Sequence, residues 1–501
     1  MPEAVQAALA MVLSGEGLLS ILAGVLIGLV VGCVPGLNVT MGMILLLPFT
    51  FSLEPASAVG LLMGIYISAM TAGAVPPVLF GIPGVPSSAA TVMDGYALCR
   101  QGRAGKALGV AMLVGIVGGL IGVALLMVSA PLIARVALNF GPAEIFAVVL
   151  FGLTSISEVT GMGLVKSLIA AGLGLMLTTI GMDPLLGTAR YNFGSAAPVE
   201  VDLVAAMLGV FAIPRVIEQL VRRPGREAVT LDYRVSAELP TWAELRSLWW
   251  VLLLSSLIGV FAGAIPGPGG PVAVFLSYDL VRRLSKSPDP PFGQGNLAGV
   301  AAPEAANNAI TGGALIPMLT LGVPGEPPAA VLMGALLIHG LRPGPLLFQQ
   351  NAAFVYSIFL AMLVGNLFSL VISVWAIRLY VNVLRIPKAY LMPVILVLAV
   401  VGSYSISHNM ADVYVMLGLG LVSYLLEKGG FPTMPMVLGL VLGGTAESEF
   451  RRALILSAGD YTVFLRSPIS LTFLVAAFLW VFGPTLWQVV RGLRPAATES
   501  D

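Results

Sequence analysis

From Gly109 to Val128 the chain reads GVAMLVGIVGGLIGVALLMV, a run without one charged or hydrogen-bonding side chain. A helix of about 20 such residues crosses the hydrocarbon of a bilayer. Further apolar stretches lie near 22–36, 38–53, 58–80, 142–157, 165–181 and 202–220. The whole chain is 58% hydrophobic and 10% charged, against about 25% charged for a soluble domain. So little polar surface cannot cover a water-facing fold of 501 residues. A membrane β-barrel needs shorter, alternating segments. The expected fold is all-α, polytopic and membrane-spanning.

The remaining composition narrows the function. The 25 basic and 25 acidic residues leave no net charge, and no basic patch points to nucleic acid. Cys33 and Cys99 lack metal-ligand spacing and read as inert buried thiols. His339 and His408 lie far apart with no ligand partner at helical spacing, so no metal is expected. No H-E-x-x-H, G-x-S-x-G or P-loop is present, which argues against an enzyme and for an ion gradient as energy source. The start, MPEAVQAALAMVLSGEG, has no basic stretch before its apolar residues, so the first helix is expected to be retained.

The chain repeats itself. GLVVGCVPG (Gly28–Gly36) returns as GVFAGAIPG (Gly259–Gly267), displaced by 231 residues. AVPPVLFGIPGVP (Ala74–Pro86) returns as LIPMLTLGVPGEP (Leu315–Pro327), displaced by 241. The polar loop Arg282–Asn296 accounts for the extra residues. Two homologous repeats follow, 15–220 and 247–470, joined by a cytoplasmic linker at 221–246 and followed by a C-terminal helix and tail at 471–501. Seven spans per half, and basic residues in the second-half loop but not its counterpart, favour inversion. Paired Gly/Pro-broken helices at corresponding places mark a secondary transporter's midplane site.

Those breaks carry the candidate residues. Gly81, Pro83 and Gly84 in one half, and Gly322, Pro324 and Gly325 in the other, end a helix in mid-membrane. Freed carbonyls there can bind a coupling ion, and the next helix N-terminus an anion. The alternative is a kinked packing helix. In the first half that helix begins at Ser87 and Ser88. Within PEAANNAITGGALIPMLTLGVPGEP, Asn307 and Asn308 can bind a carboxylate through their amides or bond backbone across helices. Thr311 lies one turn on. Glu304 follows Pro303 and is placed in a first helical turn, as cap or as proton or cation carrier. Asp94 is a coupling-ion acid or the polar end of a hairpin arm. Asn38, after the first Pro-Gly element, offers a side-chain donor.

On these residues the chain resembles the large permease subunit of the tripartite tricarboxylate transporters, the TctA family. The likeness covers nearly the whole chain. GCVPGLN, IPGVPSSAATVMDGYAL and RQGRAGKALG carry it in the first half. GVAAPEAANNAITGGALIPMLTLGVPG and GALLIHGLRPGPLLF carry it in the second. The resemblance implies a bacterial inner-membrane importer of an organic acid, coupled to sodium or protons. It implies two partners, a small four-helix membrane subunit and a periplasmic solute-binding protein. It places Asn38, Ser87, Ser88, Asn307, Asn308 and Thr311 at the substrate. The alternative is a stand-alone carboxylate carrier or exporter. The chain departs from the family pattern at Thr71-Ala72-Gly73-Ala74, where Tyr-Gly-Gly-Ser is common, at Gly81, where Asn is frequent, and at Glu326, where a small polar residue is usual. An added acid argues for a substrate less charged than a tricarboxylate.

Overall fold

A computed structural model describes residues 2–34, 37–82, 86–159, 163–183, 186–191, 200–221, 239–266, 269–286, 288–383 and 388–492. Pro83 and Gly84 lie outside the described residues. Among the described residues the architecture is helical, apart from one two-residue antiparallel strand pair. Its helices in the first part are α1 (Pro2–Val12), α2 (Gly15–Cys33), α3 (Val39–Thr50), α4 (Pro55–Ala72), α5 (Val75–Phe80), α6 (Thr91–Arg100), α7 (Ala104–Ala137), α8 (Pro142–Val159), α9 (Leu164–Thr178) and α10 (Leu203–Val221). A short α11 (Trp242–Ser247) leads into α12 (Trp249–Ala264), α13 (Gly269–Leu284), α14 (Leu297–Leu321), α15 (Pro327–Ile338), α16 (Pro345–Gln350) and α17 (Ala352–Val383). The last helices are α18 (Lys388–Ser407), α19 (Met410–Lys428), α20 (Thr433–Leu456), α21 (Val463–Arg466) and α22 (Pro468–Gly492).

Among the described residues, six helices are long and apolar enough to cross a membrane: α2, α4 continued through α5, α7, α10, the first part of α17, and α19. Between them stand shorter apolar helices, such as α3, α12 and α15. At a 1.5 Å rise, α7 alone is about 50 Å long, enough to cross at a tilt.

The chain forms two compact units, 1–138 with 201–429 and 139–200 with 430–501. In the first, glycine lets helices touch. Gly24, Gly28 and Gly32 share one face of α2, and a Cβ at Gly24 would stand 2.1 Å from the Leu61 carbonyl oxygen of α4. Lipid gives helices no hydrophobic reason to associate, so close backbone packing supplies the attraction. The same device recurs on α12. Gly28 meets Ile65 and Gly259 meets Ala306; Gly32 meets Ala69 and Gly263 meets Ile310. The glycines are 231 apart and their partners 241 apart, as in the sequence repeat. The α2–α4 contact thus has its counterpart in α12–α14.

Helix α14 is buried from Gly299 to Thr320. It is held on one side by α7, where Gly118 and Gly122 face Ala305 and Ala309, and on another by α12, where Val260 faces Gly313. Helix α10 packs on α19 through Gly209 and Met416.

In the second unit, α9 packs on α20, with Gly174 against the Met436 carbonyl and Gly439 against that of Ala171. Phe146, Phe450 and Phe464 cluster with ring centroids 5.1–5.3 Å apart. At the strand pair, Asp183 is bound by Arg451 at 2.7 Å, and Arg190 by Glu447 at 2.7 Å.

Candidate functional site

The site is built on α14. Its N-cap is Asn296, whose side chain accepts the Ala298 amide. The helix therefore begins two turns before Pro303. This corrects the first-turn placement of Glu304, which lies in the helix interior and caps nothing. Pro303 is accommodated inside the helix, not at its start, because buried packing on α7 and α12 outweighs its local cost.

Glu304, Asn307, Asn308 and Thr311 are all buried. Thr91, opening α6, donates its hydroxyl to Glu304 Oε1. Asn307 Nδ2 donates to the Met70 carbonyl of α4 at 3.4 Å. Thr71 Oγ1 donates to Asn308 Oδ1 at 2.8 Å, and Asn308 Nδ2 to the Glu304 carbonyl at 3.0 Å. Thr311 Oγ1 donates to the Asn308 carbonyl at 2.7 Å. The structure thus brings four sequence-predicted residues of α14 together with α4 and α6. Asn308 works as a joint between helices.

Both breaks end in left-handed glycine, Gly81 at φ 66° and Gly322 at φ 70°. Each donates its amide four residues back, to Pro77 at 3.2 Å and Met318 at 3.1 Å. The Gly322 bond is that of an αL cap, and at the second break Val323 also donates to the Pro317 carbonyl at 3.3 Å. Pro324 is buried, and Gly325 donates to the Ala314 carbonyl at 3.3 Å as the chain doubles back. A Cβ at Gly325 would lie 2.2 Å from the Gly263 carbonyl oxygen, so only glycine fits between α14 and α12. The carbonyls of Pro77, Met318, Pro317 and Ala314 receive these amides.

Ser87 and Ser88 form a buried 3-10 turn just ahead of α6, and Ser87 packs against Gly270 at the start of α13. Asn38 caps α3 by accepting the Met41 amide at 2.8 Å. Asp94 accepts three amides through Oδ1, from Gly293, Gly295 and Asn296, at 2.7–2.9 Å, and the Tyr278 hydroxyl through Oδ2 at 2.8 Å. With four donors it fixes the loop that feeds α14.

Sequence reasoning missed Tyr66. Its hydroxyl donates to Glu326, the residue at the N-terminus of α15, and both are buried. Tyr66 lies inside an apolar span, with no local pattern to mark it. Its partner is 260 positions away.

A profile of the tripartite tricarboxylate transporter TctA family matches residues 18–438. The chain belongs to the TctA family. Two proteins from Agrobacterium vitis are similar to the chain. An uncharacterised 52.8 kDa protein in the TAR-I ttuC' 3' region is 37% identical over 463 residues, 91% of each chain. An uncharacterised protein in the TAR-II ttuC' 3' region is 41% identical over 216 residues, 43% of this chain and 89% of that one. No solved structure matches. This TctA-family protein is a multi-pass membrane protein of a transporter family, and the family's tripartite name implies partner subunits.

Proposed function

We propose that this chain is the large membrane subunit of a binding-protein-dependent secondary transporter, importing an organic acid of the tricarboxylate or dicarboxylate class by cation-coupled symport. It works in the bacterial inner membrane with a small four-helix subunit and a periplasmic solute-binding protein that delivers the acid. The observation that carries this reading is the placement of Glu304, Asn307, Asn308 and Thr311 on a helix buried along its length, beside the Ser87–Ser88 turn. Polar side chains are kept at such depth where they serve a substrate or ion path. Asn38, Ser87, Ser88, Asn307, Asn308 and Thr311 would meet the carboxylate, with half-helix N-termini supplying dipoles. Gly81, Pro83, Gly84, Gly322, Pro324 and Gly325 shape the hairpins around it.

The matched contacts Gly28–Ile65 and Gly259–Ala306 support two repeats, 15–220 and 247–470, with the joint at 221–246 and a C-terminal piece at 471–501. The test is uptake of labelled organic acids by cells expressing the chain with its small partner, with and without the binding protein. Uptake only with the binding protein supports the tripartite reading. Equal uptake without it makes the chain a conventional carrier.

A further inference from the structure

Two buried oxygen atoms one turn apart on α14 have no hydrogen-bond donor, Glu304 Oε2 and Asn307 Oδ1. Both residues are 0% exposed. Residues three apart share a helix face. Each side chain is also held in place by its other end. Thr91 fixes Glu304 Oε1, and the Met70 carbonyl takes Asn307 Nδ2. The leftover atoms are therefore two positioned acceptors, one on an acid and one on a neutral amide. A buried acceptor without a donor is costly. An anion cannot satisfy either atom, whereas a cation or a proton can.

The obvious competitor for a cation is the carbonyl set at the second break. Those of Ala314, Pro317 and Met318 already accept the amides of Gly325, Val323 and Gly322. Five titratable groups on elements packed against α14 are engaged with other partners. Asp94 on α6 binds the loop and Tyr278 of α13, Asp279 on α13 binds Arg282, Lys106 on α7 binds Glu244, and Tyr66 on α4 binds Glu326.

We propose that Glu304 and Asn307 hold the coupling cation, a monovalent ion taken as sodium or as a proton. The carboxylate supplies charge and the amide oxygen a neutral ligand. This rests on the transport reading above. The substrate would then bind next to the site, on Asn308, Thr311, the serine turn and the remaining amide hydrogen of Asn307, and the cation would offset its charge.

Glu304→Gln is informative because it replaces the carboxylate with a neutral amide of the same shape, which carries no exchangeable charge. Proteoliposomes with the small subunit and the binding protein are given a sodium gradient at equal pH, or a pH gradient without sodium. Gradient-driven accumulation and substrate exchange are measured in the same vesicles. The ratio of accumulation to exchange should fall at least tenfold in Glu304→Gln, in whichever arm drives the wild type. In Asn307→Ala the cation concentration for half-maximal uptake should rise about tenfold. If Glu304→Gln does not fold, as judged by size-exclusion chromatography, Asn307→Ala decides. An unchanged ratio in folded Glu304→Gln, or an unchanged half-maximal concentration in Asn307→Ala, overturns the site. A wild type driven by neither gradient overturns the symport reading itself.

Discussion

Thr71 donates its hydroxyl hydrogen to Asn308 Oδ1 at 2.8 Å, joining α4 to α14 where both side chains are buried. Without that donor the amide oxygen stays unpaired in a dry interior, at a cost of about 1–3 kcal/mol. Thr71→Val should lower the thermal unfolding temperature of the purified protein, while Thr71→Ser stays near wild type. Equal stability of the two variants would mean the bond contributes nothing.

Glycine contacts divide into tight and open. A Cβ at Gly118 would stand 2.6 Å from the Ala305 carbonyl oxygen, whereas nothing lies within 4 Å of one at Gly172. Gly118→Val should destabilise by about 1–3 kcal/mol, as overpacking does. Gly172→Ala, in the interior of α9, should be neutral or stabilising by up to about 1 kcal/mol. Denaturant unfolding in detergent measures both.

Tyr66 and Glu326 are coupled across the buried interior. Tyr66→Phe leaves the carboxyl without its donor and should reduce uptake about tenfold, the rate equivalent of roughly 1.4 kcal/mol, within the range for a buried hydrogen bond. Glu326→Gln should reduce it too. If the two residues act as a unit, the double variant will be no worse than the poorer single one. Additive losses would show that they act separately.

How much of this was legible in sequence depends on the range of each interaction. The longest spans were legible because a bilayer demands an unbroken apolar run, as Gly109–Val128 supplies, whereas the stretches at 38–53 and 165–181 hold the shorter helices α3 and α9. The breaks were legible because Gly322 and Pro324 act on their own backbone. The start of α14 was misread because Pro303 is a local stop signal, overridden by packing on α7 and α12. Tyr66–Glu326 and Thr91–Glu304 join positions 260 and 213 apart, and no local pattern marks either. Asp94 was found, but not its task, because three of its partners are backbone amides of a distant loop.

On the short helix α11, the Thr241 amide and then Lys106 hold Glu244 below the usual carboxylate range. An acid held low adds stability that is present above its unfolded value and lost as pH falls through its folded one. Glu244→Gln should therefore be less stable than wild type at neutral pH. The gap should narrow once the pH drops below about 4.3, the ordinary glutamate value. A gap that widens on acidification would contradict the pairing. Unfolding curves across pH, at low salt, read this out.

The central claim is import of an organic acid driven by a cation gradient. Purified chain, small subunit and binding protein in proteoliposomes, with labelled acid outside and no nucleotide, test it in one measurement. The account predicts accumulation above the external concentration when an inward sodium or proton gradient is imposed, and none when the gradient is collapsed. Equilibration to the external concentration and no further, with every gradient, would contradict it.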